Sequence, residues 1–254
     1  MTPAGSERAD AQARALVIVP TYNESANIEE VARRLFAATG DSADLLVIDD
    51  GSPDGTADVV RAVARGPHRV HLLERAGKQG LGSAYLAGFR WGIERGYRAL
   101  VEMDADLSHD PADVPRLLRA LEDADLAIGS RYVPDGRVEN WSKTRRALSG
   151  GGNLYARAWL RFGVRDSTSG FRAYRADALR SQDLSDVRSE GYAFQIEMAW
   201  RIYRAGGRVA EVPIVFVERA HGRSKMSKRI VVEALTAVPR WALTDRRARG
   251  GGAG

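Results

Sequence analysis

Two carboxylates spaced i, i+2, Asp104 and Asp106, stand directly after the apolar run Ala99–Met103. At the end of a strand such a pair turns toward one loop and offers hard oxygen ligands to Mg²⁺ or Mn²⁺, ions that keep waters and bridge phosphate oxygens. Ser108 lies two residues further on, where its hydroxyl or a bound water could complete the site. Asp-x-Asp is also common as a plain turn or helix cap; its place after a strand is what gives it weight. His109 is a weaker candidate, and Asp110 before Pro111 reads as the cap of the next helix.

A second acidic cluster, Asp49-Asp50-Gly51-Ser52, closes another apolar run. A carboxylate there can accept hydrogen bonds from a base or ribose, or the four residues with Pro53 can make a tight turn. The local sequence favours neither. Gly77-Lys78-Gln79-Gly80-Leu81-Gly82-Ser83 has the look of a phosphate cradle, but it misses the P-loop spacing and lacks the third glycine of a dinucleotide fingerprint. It reads as a flexible lead into a helix, with Lys78 or the helix start near an anion.

The elements that must position these residues alternate. Strands are expected at Ala15–Pro20, Leu45–Asp49, Val70–Leu73, Ala99–Met103 and Leu126–Gly129. Between them fall helices at about Ser25–Ala38, from Asp54 or Thr56 to Arg65, Leu81–Arg95 and Ala112–Leu121. Strand–helix alternation at this spacing implies right-handed crossovers and a mostly parallel sheet covered on both faces. Ligands of such sheets sit at the carboxyl ends of the strands, so Pro20–Glu24, Asp49–Ser52 and Asp104–Ser108 should meet at one edge. The second half is less regular: a mobile loop at Ser130–Lys143, a helix at Thr144–Phe162 with a glycine patch, and a short strand at Gly170–Arg175. A helix at Tyr192–Arg204, a strand pair or bent strand at Val209–Val217 and an amphipathic helix at Arg229–Leu243 complete it.

Composition narrows the chemistry. The 254 residues contain no cysteine, which excludes disulfides and thiolate metal or redox sites and leaves oxygen or histidine ligands. The net charge is +5, and 34 of the 38 cationic residues are arginine. Guanidinium forks suit phosphates and anionic membrane surfaces, although codon bias produces the same excess. No aromatic-and-basic platform of the kind that binds nucleic acid is visible. No apolar run reaches the roughly 20 residues that cross a bilayer. Residues 1–14 read as a loose polar tail without a signal-peptide core, and 244–254 as a disordered tail. Residues 15–243 form one domain, with a nucleotide-binding half to about 130 and an acceptor-binding half from 131.

Taken in order, Pro20-Thr21-Tyr22-Asn23-Glu24, Ile48 to Thr56, Gly80 to Tyr85 and Met103 to His109 resemble the dolichol-phosphate or polyprenol-phosphate mannosyltransferases, inverting family 2 glycosyltransferases. The likeness continues through Gly129-Ser130-Arg131-Tyr132, Ser167 to Arg172, Gly191-Tyr192 with Phe194-Gln195 and Glu197, Val212-Pro213-Ile214, Arg219 and Gly222 to Met226. It covers about residues 15–240. It implies an α/β, GT-A glycosyltransferase fold, Rossmann-like, with a mostly parallel central sheet flanked by helices. It implies transfer of mannose from GDP-mannose to a polyprenyl phosphate with Mg²⁺ or Mn²⁺.

By the same resemblance Pro20, Tyr22, Glu24, Ile48 and Asp50 line the guanosine and ribose pocket. Asp104 and Ala105 contact the donor, Asp106 and Ser108 stand at the metal, and Arg131, Arg145, Arg219 and Lys225 match basic positions at the phosphates. Asp104, Asp106, Arg131 and Arg219 would carry catalysis. Many relatives have Gln where this chain has Ser108. A UDP-glucose-dependent relative and a non-catalytic sugar-nucleotide sensor are the rival readings. A lipid acceptor further implies a cytoplasmic protein held peripherally at the inner membrane face, with the Arg229–Leu243 helix and the Gly191–Phe194 region against the bilayer or a membrane-protein partner.

Overall fold

The computed structural model describes residues 14–218 and 228–250, with side chains described for 14–218 and 233–244. Its first half is the alternation the sequence predicts. Strand β1 (Ala15–Thr21) has five successive residues with no exposure, Ala15 to Val19, as befits a central parallel strand covered on both faces. It pairs in parallel with β2 (Ala43–Asp49) on one side and β4 (Ala99–Glu102) on the other. Both registers start at Ala15, opposite Ala43 and Ala99. β3 (Val70–Glu74) adds to the outer edge of β2. Helices α1 (Ile28–Thr39), α2 (Thr56–Val63), α3 (Leu81–Arg95) and α4 (Val114–Ala120) connect the strands.

Side-chain alternation divides the core into two layers. Leu16, Ile18, Leu46 and Ile48 face a cluster with Phe89 and Phe194, while Val17, Val19, Leu45 and Val47 face Val31, Leu35 and Val60. The stripe Ile28, Val31 and Leu35 is the buried face of α1, the 3.6-residue pattern that selects a helix there.

The seven-stranded sheet runs β3-β2-β1-β4-β7-β5-β8. β5 (Leu126–Ser130) is parallel to β8 (Val209–Pro213), and β7 (Arg172–Arg175) is inserted antiparallel between β4 and β5. This insertion brings Arg172 opposite Glu102. Arg172 is fully buried, and its guanidinium donates to the backbone carbonyls of Ser167, Ser169 and Gln195. Glu102, also fully buried, accepts from Gln195 Nε2 at 2.7 Å. Burial pushes the Glu102 carboxyl up to about 7, against the pull of Arg172 and Gln195.

Three expectations need correction. Ser130–Lys143 is not simply a mobile loop: it contains β6 (Arg137–Glu139), paired in parallel with β9 (Val215–Val217) in a separate two-stranded sheet. Val209–Val217 is two strands in different sheets, because Pro213 ends β8 and the chain then turns to β6. After helices α5 (Lys143–Leu160), α6 (Ala176–Arg180) and α7 (Gly191–Arg204), the last helix, α8, runs from Lys228 to Gly250. Residues 244–250, read as disordered, are helical, consistent with the helix propensity of their arginines and alanine. Of the proposed tail at 1–14, only Arg14 falls among the described residues, with Nε 3.4 Å from Asp44.

The glycine in the first turn of α3 serves a close contact. A Cβ on Gly82 would stand 2.6 Å from the Ser189 carbonyl oxygen and 3.0 Å from the Phe194 ring. Gly82 N donates to the Glu190 carboxylate at 2.8 Å, so the start of α3 faces a side chain of the same chain. Gly82→Ala is expected to lose about 1–3 kcal/mol through overpacking, more than the ~1 kcal/mol gained in helix propensity. An unchanged thermal midpoint would refute the contact.

Glu102→Gln tests the buried acid. The raised carboxyl makes the native state hold a proton that the unfolded chain releases near pH 4.5, so its stabilisation is present below that pH and is lost as pH rises to about 7. The variant should therefore gain thermal stability over the wild type between pH 5 and 8, with no further gain above. A gap independent of pH would contradict this.

Candidate active site

At the carboxyl edge the loops after β1, β2 and β3 are tied together by backbone and short polar side chains. Asp50 N donates to Thr21 O at 3.1 Å and Arg75 N to Asp49 O at 2.8 Å. Asp49 accepts from Thr21 Oγ1 and Ser52 N. Asp54 accepts from Ser25 N and from the amide and hydroxyl of Thr56, whose Oγ1 in turn accepts from Glu24 N. Burial raises the Asp54 carboxyl, but the bonds from Thr56 and Ser25 together outweigh it and hold the group at about 2. Of the two readings of Asp49–Ser52, the turn is seen at Asp49, which accepts from Ser52 N and Oγ, while the Asp50 carboxylate is engaged by another side chain.

Asp50 is held by a residue the sequence did not reveal. Arg75, just after β3, donates Nε to Asp50 Oδ1 at 2.6 Å and Nη2 to Oδ2 at 2.8 Å. Its Nη1 reaches Ser83 Oγ at 2.9 Å, linking Asp50 to the glycine-rich loop. In that loop Lys78 Nζ sits 3.8 Å from the centroid of the Tyr22 ring, so the loop folds over the Pro20–Glu24 turn. Pro20, Tyr22 and Glu24 are half-buried at this edge. Ile48 does not line a pocket with its side chain: it is fully buried, and a Cβ on Gly88 would meet its Cδ1 at 3.0 Å. Strand alternation sends its side chain inward and Asp49 the other way.

Asp104 and Asp106 leave the end of β4 half-buried, while Ala105 between them is buried in the core. Leu107 takes φ 59°, a conformation unfavourable for a bulky side chain and of the kind found at functional turns. Asp106 Oδ1 accepts from Ser108 N at 3.1 Å, and the buried Ser108 Oγ has no hydrogen-bond partner. His109 is buried, stacks on Phe171 at 5.0 Å and accepts at Nδ1 from Asp104 N at 3.2 Å. It positions the Asp104 backbone. Asp110 caps the following turn by accepting from Ala112 N, as its sequence predicts.

Across from this loop stands a cluster of cations and rings. Val217 N of β9 donates to Ser108 O at 3.3 Å, and Phe216 meets His109 edge-on at 5.3 Å. Phe216 also meets Trp141, 5.4 Å away. The carbons at the centres of the Arg131 and Arg145 guanidinium groups lie 5.3 and 4.3 Å from the Trp141 ring. Arg131 is buried and donates Nε and Nη2 to the two oxygens of Asp166 at 2.8 and 2.7 Å. Burial raises the Asp166 carboxyl, but Arg131 overrides this and leaves it below its ordinary value. Arg145 Nη1 donates to Glu218.

The structure therefore brings together Asp104, Asp106, Ser108, Arg131 and Arg145, and places Asp50 with Pro20, Tyr22 and Glu24 on the same sheet edge. Arg219 and Lys225 lie outside the described residues. Among those described, no cluster of three or more His, Asp or Glu could hold a metal ion by itself. A groove of about 660 Å³ between α7 and α8, lined by Arg188, Arg201, Trp200 and Trp241 among others, holds none of these residues. The site is thus assigned on its chemistry rather than on enclosure.

Comparison with known proteins gives the chain's family. The profile of the family described as Glycosyl transferase family 2 matches residues 16–182. The chain is 53% identical over 233 residues to the undecaprenyl-phosphate mannosyltransferase of Micrococcus luteus, covering 92% of this chain and 96% of that one. It is 51% identical over 241 residues to the polyprenol monophosphomannose synthase of Mycolicibacterium smegmatis, covering 93% and 91%. Among solved structures it is similar to glucosyl-3-phosphoglycerate synthase from Mycobacterium tuberculosis in complex with Mn²⁺, UDP and glucosyl-3-phosphoglycerate (TM-score 0.62, 22% identity, 98% and 84% covered). It is also similar to a mannosyltransferase from Pyrobaculum calidifontis in complex with GDP-Man and Mn²⁺ (TM-score 0.58, 20% identity, 95% and 76% covered). At these identities the solved structures speak to the fold alone. With the family profile spanning both acidic loops and half of all residues shared with two such enzymes, the chain belongs to glycosyl transferase family 2, among its polyprenyl-phosphate mannosyltransferases.

Proposed function

We propose that this chain transfers mannose from GDP-mannose to a polyprenyl monophosphate with inversion, giving polyprenyl-phosphate-mannose and GDP. The observation that carries the reading is the juxtaposition of the Asp104/Asp106 loop with the Arg131–Trp141–Arg145 cluster, joined through Val217 and Phe216. Both named relatives act on lipid phosphates.

The reaction needs no dedicated base. A phosphate monoester has a second pKa near 6, so its oxygen reaches the anomeric carbon already deprotonated at neutral pH. The obstacle is charge: two unit charges about 4 Å apart repel by roughly 4 kcal/mol at an effective dielectric near 20. Arg131 and Arg145 are placed to offset this. Each has one carboxylate partner, Asp166 or Glu218, which fixes the guanidinium in place before substrate arrives. Asp50, aligned by Arg75, takes the ribose or base, with Tyr22 and Lys78 closing over it.

The residues fit a divalent cation. Asp106 and the unsatisfied Ser108 Oγ are oxygen donors on one loop, Asp104 is beside them, and the small protein ligand count suits Mg²⁺ or Mn²⁺ shared with a diphosphate. Bound there, the ion would supply neutralisation of the diphosphate and of the departing GDP.

A lipid acceptor calls for contact with a bilayer. No helix among the described residues is long and apolar enough to cross a membrane. Leu148, Leu154 and Trp159 of α5 and Leu235 and Leu243 of α8 are exposed, and the two helices are bonded from Tyr155 Oη to Leu235 O. This surface supports peripheral attachment to a bilayer, directly or through a membrane protein.

Incubation of purified protein with labelled GDP-mannose, Mg²⁺ or Mn²⁺ and polyprenyl phosphate should place label in the lipid extract, and UDP-glucose should not substitute. Asp106→Ala should reduce product by about 100-fold or more while keeping a cooperative thermal transition. Full activity in that variant would remove the cation site. In a flotation assay with anionic vesicles, Leu148→Glu combined with Leu235→Glu should leave the protein in the lower fraction; equal flotation with the wild type would refute the α5–α8 surface.

A further inference from the structure

Among the described residues, Trp141 Nε1, Arg145 Nε and Ser108 Oγ are buried polar atoms without a hydrogen-bond partner. Leaving such a group unsatisfied costs about 1–3 kcal/mol, and native interiors pair nearly all of them. Ser108 is accounted for by the cation reading. The other two are N–H donors on adjacent side chains, with the Arg145 guanidinium 4.3 Å from the Trp141 ring centroid. Trp141 is 9% exposed, and its ring contacts Phe216, Arg131 and Arg145.

Resting on the mannosyltransferase reading above, we propose that Trp141 is a phosphate-binding residue of this site, donating its indole N–H, together with Arg145 Nε, to phosphoryl oxygens. An indole N–H is a donor only and stays protonated, so it can approach an anion without adding charge. The ring has a second role. Its face holds two guanidinium groups at fixed spacing through cation–π attraction, in a corner where like charges would otherwise separate. The ligand chemistry is a phosphate oxygen, and it has two sources: the donor's diphosphate and the acceptor's monophosphate.

Trp141→Phe keeps the ring face and removes the N–H. Three measurements are made on it: the thermal midpoint, the Kd for GDP with Mn²⁺ by calorimetry, and the KM for polyprenyl phosphate at saturating GDP-mannose. The midpoint is expected to stay within about 2 °C, whereas one of the two constants should rise about 10-fold or more, as for a lost bond to a charged group. A rise in the GDP Kd assigns the donor's diphosphate, and a rise in the lipid KM with GDP binding intact assigns the acceptor. Trp141→Leu should raise both constants further, since it also releases Arg131 and Arg145.

Wild-type values for both constants in a folded Trp141→Phe protein would overturn the proposal and leave Trp141 as packing. If Trp141→Phe does not fold, Trp141→Tyr, which also keeps an aromatic face and lacks the indole N–H, is read the same way, and wild-type constants there overturn it equally. A wild-type protein that binds no GDP and makes no mannolipid would overturn the mannosyltransferase reading and this inference with it. An active wild type with an unaffected variant ends only the latter.

Discussion

The parallel alignment of three adjacent strands governs this molecule. β1 is flanked by β2 and β4 in parallel, with Ala15 opposite both Ala43 and Ala99. Parallel pairing puts the carboxyl ends of all three on one side, β2 running to Asp49 opposite Thr21 and β4 stopping at Glu102 opposite Ile18, so acidic residues 54 positions apart, Asp50 and Asp104, share one edge. A slip of one residue in either pairing would turn every side chain of that strand to the opposite face. The buried, featureless run Ala15–Val19 fixes that register by filling both core layers, so the site's precision is set in the core.

Charges around the site are paired in advance. Asp50 has Arg75, Arg131 has Asp166, and Arg145 has Glu218. An arginine that must face phosphates would otherwise be a flexible rod in water. Here the carboxylate behind it and the aromatic rings beside it remove its freedom before binding, which is the physical content of preorganisation. Asp166 is itself fully buried, so this pair could not be exposed or rebuilt at low cost. Arg172 follows another rule: three backbone carbonyls receive its protons, leaving Glu102 neutral over much of the acidic range.

The parallel half of the fold was legible because its strands are long, doubly buried and separated by periodic helices. The second half was less so. β6 and β9 have three residues each, too few for alternation to register, and the antiparallel insertion of β7 depends on tertiary pairing. The acidic loops and their strand-end placement were read correctly from spacing. Ile48 was misjudged because its motif adjacency hid the inward direction of its side chain. Arg75, Asp166 and Trp141 were missed for one reason: each acts through a partner 10 to 35 positions away or on another element, and no local pattern marks such a pairing.

The bidentate lock between Asp50 and Arg75 has an evolutionary consequence. Both side chains are about nine-tenths buried, so changing either one alone strands the other's charge, a defect on the order of 3–5 kcal/mol. A lineage drifting by single substitutions meets a valley there that only a concerted exchange of both residues would cross. On the proposal that Asp50 takes the ribose or base, nucleotide preference is guarded by fold stability as well as by selection on activity, and a laboratory search for altered donors would need to diversify positions 50 and 75 together.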